Sequence, residues 1–261
     1  EKNILMVGAT ASTAELAGID DNFIRIIPPG NKQALLLAKV AYEQLNLKKM
    51  AVVYDTSNPK YTESFYRYFK KGFERDGGHV SVRIPFDSRK QFSMPDIAKE
   101  IMNSDVEGLF IITNTFHGAL ICQHLRKNGS RIKIVASGWS FPDPDFIMHG
   151  GAAVEGVVSV SIFDKESISK AFIDFKRRYE SRFGEKIGEG SLLGYEAAQV
   201  LFSALSKTND PGKLKETILN QREFKGIDNK IIIDEYGDAL RAMYISEIKN
   251  GAIHIAGKIE P

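Results

Sequence analysis

The sequence predicts an α/β fold: parallel sheets with flanking helices. Three observations carry this. Short all-apolar runs, Met50–Tyr54 and Gly108–Ile112, have the character of strands buried on both faces. Between such runs lie stretches with apolar residues at helical spacing, the clearest being Tyr61, Phe65, Tyr68, Phe69, Gly72 and Phe73. Run after run ends in a small or polar loop, as strands of βαβ units do ahead of their crossover helices.

In chain order, Ile4–Val7 reads as a buried strand. Gly8-Ala9-Thr10-Ala11-Ser12-Thr13 follows, a loop of small residues leading into a helical turn at Ala14–Ala17. Small side chains let backbone groups approach a ligand closely; taken alone, the loop reads more simply as a plain helix N-cap at Ser12 or Thr13. Phe23–Ile27 alternates as a strand and stops at Pro28-Pro29-Gly30, a chain reversal or a crossover between domains. A helix over Lys32–Leu45 precedes the central βαβ unit. In that unit, Met50–Tyr54 is closed by the turn formers Asp55–Pro59, which makes Asp55–Tyr61 the first place to look for function. The helix after it ends at Gly77-Gly78, and His79–Phe86 is the second strand.

A helix over Pro95–Asn103, the strand Gly108–Ile112, the loop Thr113-Asn114-Thr115 and a helix over Phe116–Lys127 come next. The strand Ile132–Ala136 ends in Ser137-Gly138-Trp139-Ser140, which holds the one tryptophan. Pro142-Asp143-Pro144 marks a turn, a short helix runs to His149, and Val154–Ile162 is again strand-like. Three helices follow, over Ser169–Phe183, Gly190–Ser206 and Pro211–Leu219. The chain closes with a short strand Ile231–Ile233, a turn Asp234–Asp238, and a hairpin of Ala242–Ile248 with Ala252–Ile255 about Lys249-Asn250-Gly251.

Composition narrows the function classes. The 261 residues are 43% hydrophobic and 26% charged, a globular balance with room for two cores. A net charge of +2 with scattered Lys and Arg gives little attraction to nucleic acid. No apolar run reaches the length of a membrane span, and Ile4–Val7 is too short for a signal core. A single cysteine, Cys122, excludes an intrachain disulfide and reads as a small buried apolar residue. The five histidines lack metal-ligand spacing, so no metal or cofactor is expected. No dinucleotide, P-loop, zincin or nucleophile-elbow motif is present, which leaves an α/β enzyme without support in the residues. Hydroxyls, amides and a few rings at strand ends describe a small-molecule cleft instead.

Several segments recur in a specific order and spacing. They are Gly8 to Leu16, Phe23-Ile24-Arg25-Ile26, Ala51-Val52-Val53-Tyr54-Asp55 with Tyr61, and Gln91-Phe92-Ser93. Val154-Glu155-Gly156, Phe172 to Phe183-Gly184, and Gly194-Tyr195-Glu196-Ala197-Ala198 complete the set. Together they resemble the branched-chain amino acid binding protein family, the type I periplasmic receptors that deliver ligand to ABC importers. The resemblance implies two α/β lobes joined by three hinge crossovers, with lobe 1 at 1–30 and 160–240 and lobe 2 at 31–159 and 241–261. Pro28–Gly30, Ser159–Ser161 and the neighbourhood of Arg241 should then lie side by side.

It further implies that the first βα units of lobe 1 are absent from this stretch of chain, so lobe 1 is truncated. Thr10, Ala11 and Ser12 would meet an anionic ligand end, Tyr61, Thr113 and Asn114 would meet the ligand from lobe 2, Trp139 would wall the pocket, and Tyr195 would contribute from a lobe-1 helix. The family's amino-acid receptors place a carboxylate where Trp139 falls; a ring face offers stacking or cation–π contact without a counter-charge, which argues against a simple aliphatic amino acid. The implied partners are a small amino acid or carboxylate and ABC permease subunits, in the periplasm or outside the cell. A sensing domain of the same fold is the alternative.

Overall fold

In the computed structural model, which describes residues 4–141 and 144–261, the chain opens on two short parallel strands, β1 (Met6–Gly8) and β2 (Phe23–Arg25). Their register pairs Met6 with Phe23 and Gly8 with Arg25. Glycine at position 8 gives the Phe23 ring room: a Cβ there would stand 2.5 Å from that ring, which would have to shift. Between the strands the chain makes a single 3₁₀ turn, Ala14–Leu16, whose N-cap is Thr13. β1 is shorter than the expected Ile4–Val7 and poorly covered, with Ile4 64% and Met6 63% exposed. The expected turn at Pro142-Asp143 lies outside the described residues.

After Pro28-Pro29 comes α1 (Gly30–Lys39), which loosens into a π-helical turn, Val40–Gln44, where one continuous helix was expected. β3 (Lys49–Asp55), α2 (Pro59–Arg75) and β4 (His79–Phe86) form the anticipated βαβ unit, β3 and β4 pairing in parallel. Proline suits the first turn of α2 because that turn needs no amide donor. The helix buries Phe65, Phe69 and Phe73, and Phe69 packs on Phe110 with ring centres 4.2 Å apart. α3 (Met94–Met102), β5 (Gly108–Ile112), α4 (Thr115–Lys127), β6 (Lys133–Ala136), α5 (Pro144–Gly150) and β7 (Val158–Ser161) follow. The strand expected from Val154 begins only at Val158, because Gly151–Val154 forms a 3₁₀ turn and Gly156 takes φ +75°.

The chain continues with α6 (Lys170–Phe183), α7 (Glu189–Leu205) and α8 (Leu214–Gln221). Ser169 caps α6, its Oγ accepting from the Phe172 amide at 3.2 Å, and Gly184 closes it with φ +70°. A small antiparallel sheet, β8 (Glu223–Lys225), β9 (Lys230–Ile233) and β10 (Ala239–Leu240), was only partly visible in the sequence, since strands of two and three residues leave no periodicity. β11 (Met243–Lys249) and β12 (Ala252–Ile259) turn about Asn250-Gly251, both at positive φ as a two-residue hairpin requires. They extend the large sheet, whose order is β12-β11-β7-β6-β5-β3-β4 and whose pairs from β7 to β4 are parallel.

The chain divides into two compact units. Unit 1 holds the chain up to Pro29, Ile162–Tyr244 and Lys258–Pro261; unit 2 holds Gly30–Ser161 and Ile245–Gly257. Each has its own apolar core. In unit 2 it forms around Val53, Leu109, Ile111, Ile121 and Ile134; in unit 1 around Ile24, Phe172, Leu193, Val200 and Ile233. Three stretches of unit 1, near Ile26, Ile162 and Arg241, meet one buried polar network within it. Arg241 and Glu196, both essentially unexposed, pair through Nη1–Oε2 at 2.6 Å and Nη2–Oε1 at 3.3 Å. Arg241 Nη1 also donates to the Ile26 carbonyl and its Nε to Asn229 Oδ1, while Asn229 Nδ2 donates to the Ile162 carbonyl. On the unit 2 side, Ser161 and Ser246 join hydroxyl to hydroxyl at 2.9 Å.

Candidate functional site

In unit 2 the register aligns Tyr54 with Ile112 and Ile111 with Ala136, so the residues after β3, β5 and β6 emerge along one edge of the sheet. In parallel sheets this edge is where ligands sit. Asp55 closes β3. It is fully buried, and its Oδ1 accepts from the amides of Ser57 (2.9 Å) and Ser88 (3.1 Å), tying the loop after β3 to the loop after β4. Burial pushes this carboxyl up, but the hydrogen bonds from Ser88 and Ser57 outweigh it and hold the group below the ordinary aspartate range. Its Oδ2 is buried without a hydrogen-bond partner, as is Ser137 Oγ after β6.

Thr113 and Asn114 after β5 are engaged locally. Thr113 Oγ1 donates to the Asn114 carbonyl, and Ser140 Oγ donates to the Thr113 carbonyl at 2.8 Å. Asn114 caps α4, its Oδ1 accepting from the His117 amide at 2.9 Å. Its Nδ2 lies 2.9 Å from His117 Nδ1; with the amide donating, the imidazole proton sits on Nε2. Burial lowers the His117 pKa and the charge of Asp55 opposes that. Phe86 and Phe92 meet the same imidazole edge to face. Trp139 and Tyr61, far apart in sequence, meet edge to face with centres 5.9 Å apart, both partly exposed. Thr115 Oγ1 donates to the Trp139 carbonyl at 3.3 Å, fixing that loop to the start of α4.

In unit 1 the corresponding loop follows β1. Thr10 and Ala11 are exposed and Ser12 is buried; neither Thr10 nor Ser12 makes a hydrogen bond among the described residues. Thr13 is the cap of the turn, with Oγ1 3.4 Å from the Glu15 amide. Beneath the loop lies Arg25, at the end of β2 and unexposed. Its Nε donates to Asp238 Oδ1 at 2.6 Å and its Nη1 to the carbonyls of Thr13 (2.8 Å) and Ala11 (3.4 Å). Tyr195 lies on α7, partly buried, with its ring 4.9 Å from that of Phe175. The structure thus gathers Tyr61, Trp139, Thr113 and Asn114 on one edge of unit 2 and Thr10–Ser12 on one loop of unit 1, while Tyr195 packs on α6.

Arg25, Ser88 and His117 belong to these strand-end regions without being among the expected site residues. Only Arg25 carried a signal, a charge set between isoleucines in a strand. Cys122 is fully buried and its thiol is pushed up to about 12, so it is no nucleophile. A hollow of about 550 Å³ lies beside β8 and β9 in unit 1, away from the strand ends. Asp228 in its lining is already engaged, its Oδ2 accepting from Tyr244 and from the Asp164 amide. Among the described residues no cluster of His, Cys, Asp or Glu could hold a metal, and no helix is long and apolar enough to cross a membrane.

Comparison with known proteins agrees with this architecture. No curated protein sequence matches the chain. The leucine binding protein LivK of Thermotoga maritima is similar in structure, with a TM-score of 0.88 at 26% identity over 98% of this chain and 73% of that one. The branched-chain amino acid binding protein LivJ of Streptococcus pneumoniae, solved with isoleucine, gives 0.86 at 16% identity, covering 99% and 73%. An ABC transporter solute-binding protein of R. palustris, solved with benzoate, gives 0.85 at 15% identity, covering 98% and 71%. All three are ligand-binding proteins, and their fold, that of the type I periplasmic binding proteins, is the one found here. The profile of the periplasmic binding protein family matches residues 1–252, and the chain belongs to that family.

Proposed function

We propose that this chain is an extracytoplasmic solute receptor that hands a small amino-acid-like or carboxylate ligand to an ABC importer. The observation that carries the reading is the Tyr61–Trp139 aromatic pair on the strand-end edge of unit 2, on a fold whose relatives bind leucine, isoleucine and benzoate. Trp139 and Tyr61 offer a ligand ring faces and edges. Thr113 and Asn114, whose side chains are used within the protein, shape the same edge and would meet the ligand there. Thr10, Ala11 and Ser12 receive the anionic end through amide and hydroxyl donors. Tyr195 contributes from α7.

A ring at 139 gives no formal charge to oppose an ammonium group, which favours a carboxylate with a flat or aromatic body over a plain aliphatic amino acid. The partner is the permease of the importer; membrane association is through that partner, and the modest net charge gives no reason to expect nucleic acid. A thermal-shift screen with leucine, isoleucine, phenylalanine, benzoate and hydroxybenzoates tests the proposal. At least one compound should raise the melting temperature in a saturable way, confirmed by calorimetric titration. If none does, and nothing of low mass accompanies the protein in native mass spectrometry, the receptor reading fails.

A further inference from the structure

We propose that Arg25 is the positioning residue of the Thr10–Ser12 loop, setting its amides to face an anionic ligand group. This rests on the receptor reading only where ligand is concerned. Arg25 is wholly buried, yet the loop carbonyl it reaches at Ala11 is fourteen residues upstream and its counter-ion lies 213 residues downstream. Its Nη1 draws the carbonyls of Ala11 and Thr13 toward the interior. In a trans peptide the carbonyl and the next amide hydrogen point to opposite sides. Drawing those two oxygens inward therefore turns the amides of Ser12 and Ala14 away from the guanidinium, and neither amide is bonded among the described residues.

Asp238 completes the device. One oxygen holds Arg25 Nε and the other accepts from the Gly18 amide at 2.8 Å, so the ion pair grips the segment at residues 11, 13 and 18. With Asp238 on the Nε side and the loop on the Nη1 side, the positive end of the pair faces the loop. Stability alone explains this poorly. A buried ion pair is weak evidence for stability, and this one leaves Arg25 Nη2 buried without a partner. What the guanidinium offers that an apolar side chain does not is a rigid fork reaching two carbonyls and a carboxylate together. A lysine ammonium lacks that planar fork.

The test compares wild type with Arg25→Lys and Asp238→Asn in the full chain. Amide hydrogen exchange without ligand comes first. Arg25→Lys should speed exchange across residues 11–18 by tenfold or more while α7 stays within twofold of wild type; Asp238→Asn should act first at Gly18. Unchanged exchange in the loop, or equal acceleration throughout unit 1, overturns the positioning role. Calorimetry with benzoate and with neutral benzamide forms the second arm, with leucine as a further probe. Arg25→Lys should weaken benzoate or leucine by tenfold or more and benzamide by less. A mobile loop with unchanged affinity overturns the link to ligand. If wild type binds none of the three, the receptor reading suffers, and exchange alone decides the role of Arg25. Should Arg25→Lys not fold, Asp238→Asn carries both arms.

Discussion

β5 and β1 look alike in the sequence and differ in the structure. Each is a short apolar strand, paired in parallel, that runs into a loop of small polar residues. Every residue of Gly108–Ile112 is buried, whereas Met6 on β1 is 63% exposed and, among the described residues, two strands make its sheet. The loops differ as well. The one after β5 is held from within by Thr113, Asn114 and Ser140, its own neighbours. The one after β1 is held from below by Arg25, on the next strand. Burial and loop support thus come from the surroundings of a strand, and the local pattern reports only that a strand is there.

The sharpest way to break the comparison is the buried network of unit 1. Glu196→Ala leaves Arg241 unpaired in the interior, and the loss of one partner from such a pair costs about 3–5 kcal/mol. Urea unfolding should show that loss; a change under about 1 kcal/mol would mean that the pair is solvated. The strands themselves come next. Ile111→Ala on β5 should cost about 2–5 kcal/mol, and Met6→Ala on β1 within about 0.5. Equal losses would show that β1 is covered in solution.

Trp139→Ala addresses the strand-end edge of unit 2. For the compound that stabilises wild type, it should weaken calorimetric affinity by about one to two powers of ten, matching roughly 1–3 kcal/mol of ring burial. The ligand-free mutant should keep its melting temperature. Unchanged affinity, or failure to fold, would return Trp139 to a packing role.

The smallest effect concerns His117. Its pKa is lowered in the fold, so below the unfolded value of about 6.5 the unfolded chain takes up a proton that the folded state resists. The stability is therefore complete above that value and is lost as pH falls through it toward the folded pKa. Melting temperature should drop between pH 7.5 and 5.5 more steeply in wild type than in His117→Gln. A flatter wild-type profile would contradict the burial of this ring between Phe86 and Phe92.

Much of this was legible before any coordinates. The β3-α2-β4 unit follows from an apolar run, a helical stripe of aromatics and a double glycine, each strong and local. That Tyr61 and Trp139 meet follows from parallel strands ending on one edge. β8 and β10 were not legible because two or three residues carry no period, and the start of β7 was misplaced because Val154 and Val157 look extended until Gly156 turns the chain. Arg25 lies within the Phe23–Ile26 motif, but its partner Asp238 is 213 residues away and nothing local links them. The buried unpaired oxygens of Asp55 and Ser137 were equally out of reach, since satisfaction is a property of the assembled site.

The central claim is that these strand ends hold a small solute and leave it chemically unchanged. Proton NMR of the stabilising compound, incubated overnight with the protein, tests it most directly. The account predicts broadened ligand lines from exchange with the bound state and an unaltered spectrum once the protein is removed. New product resonances that grow with protein concentration would contradict it.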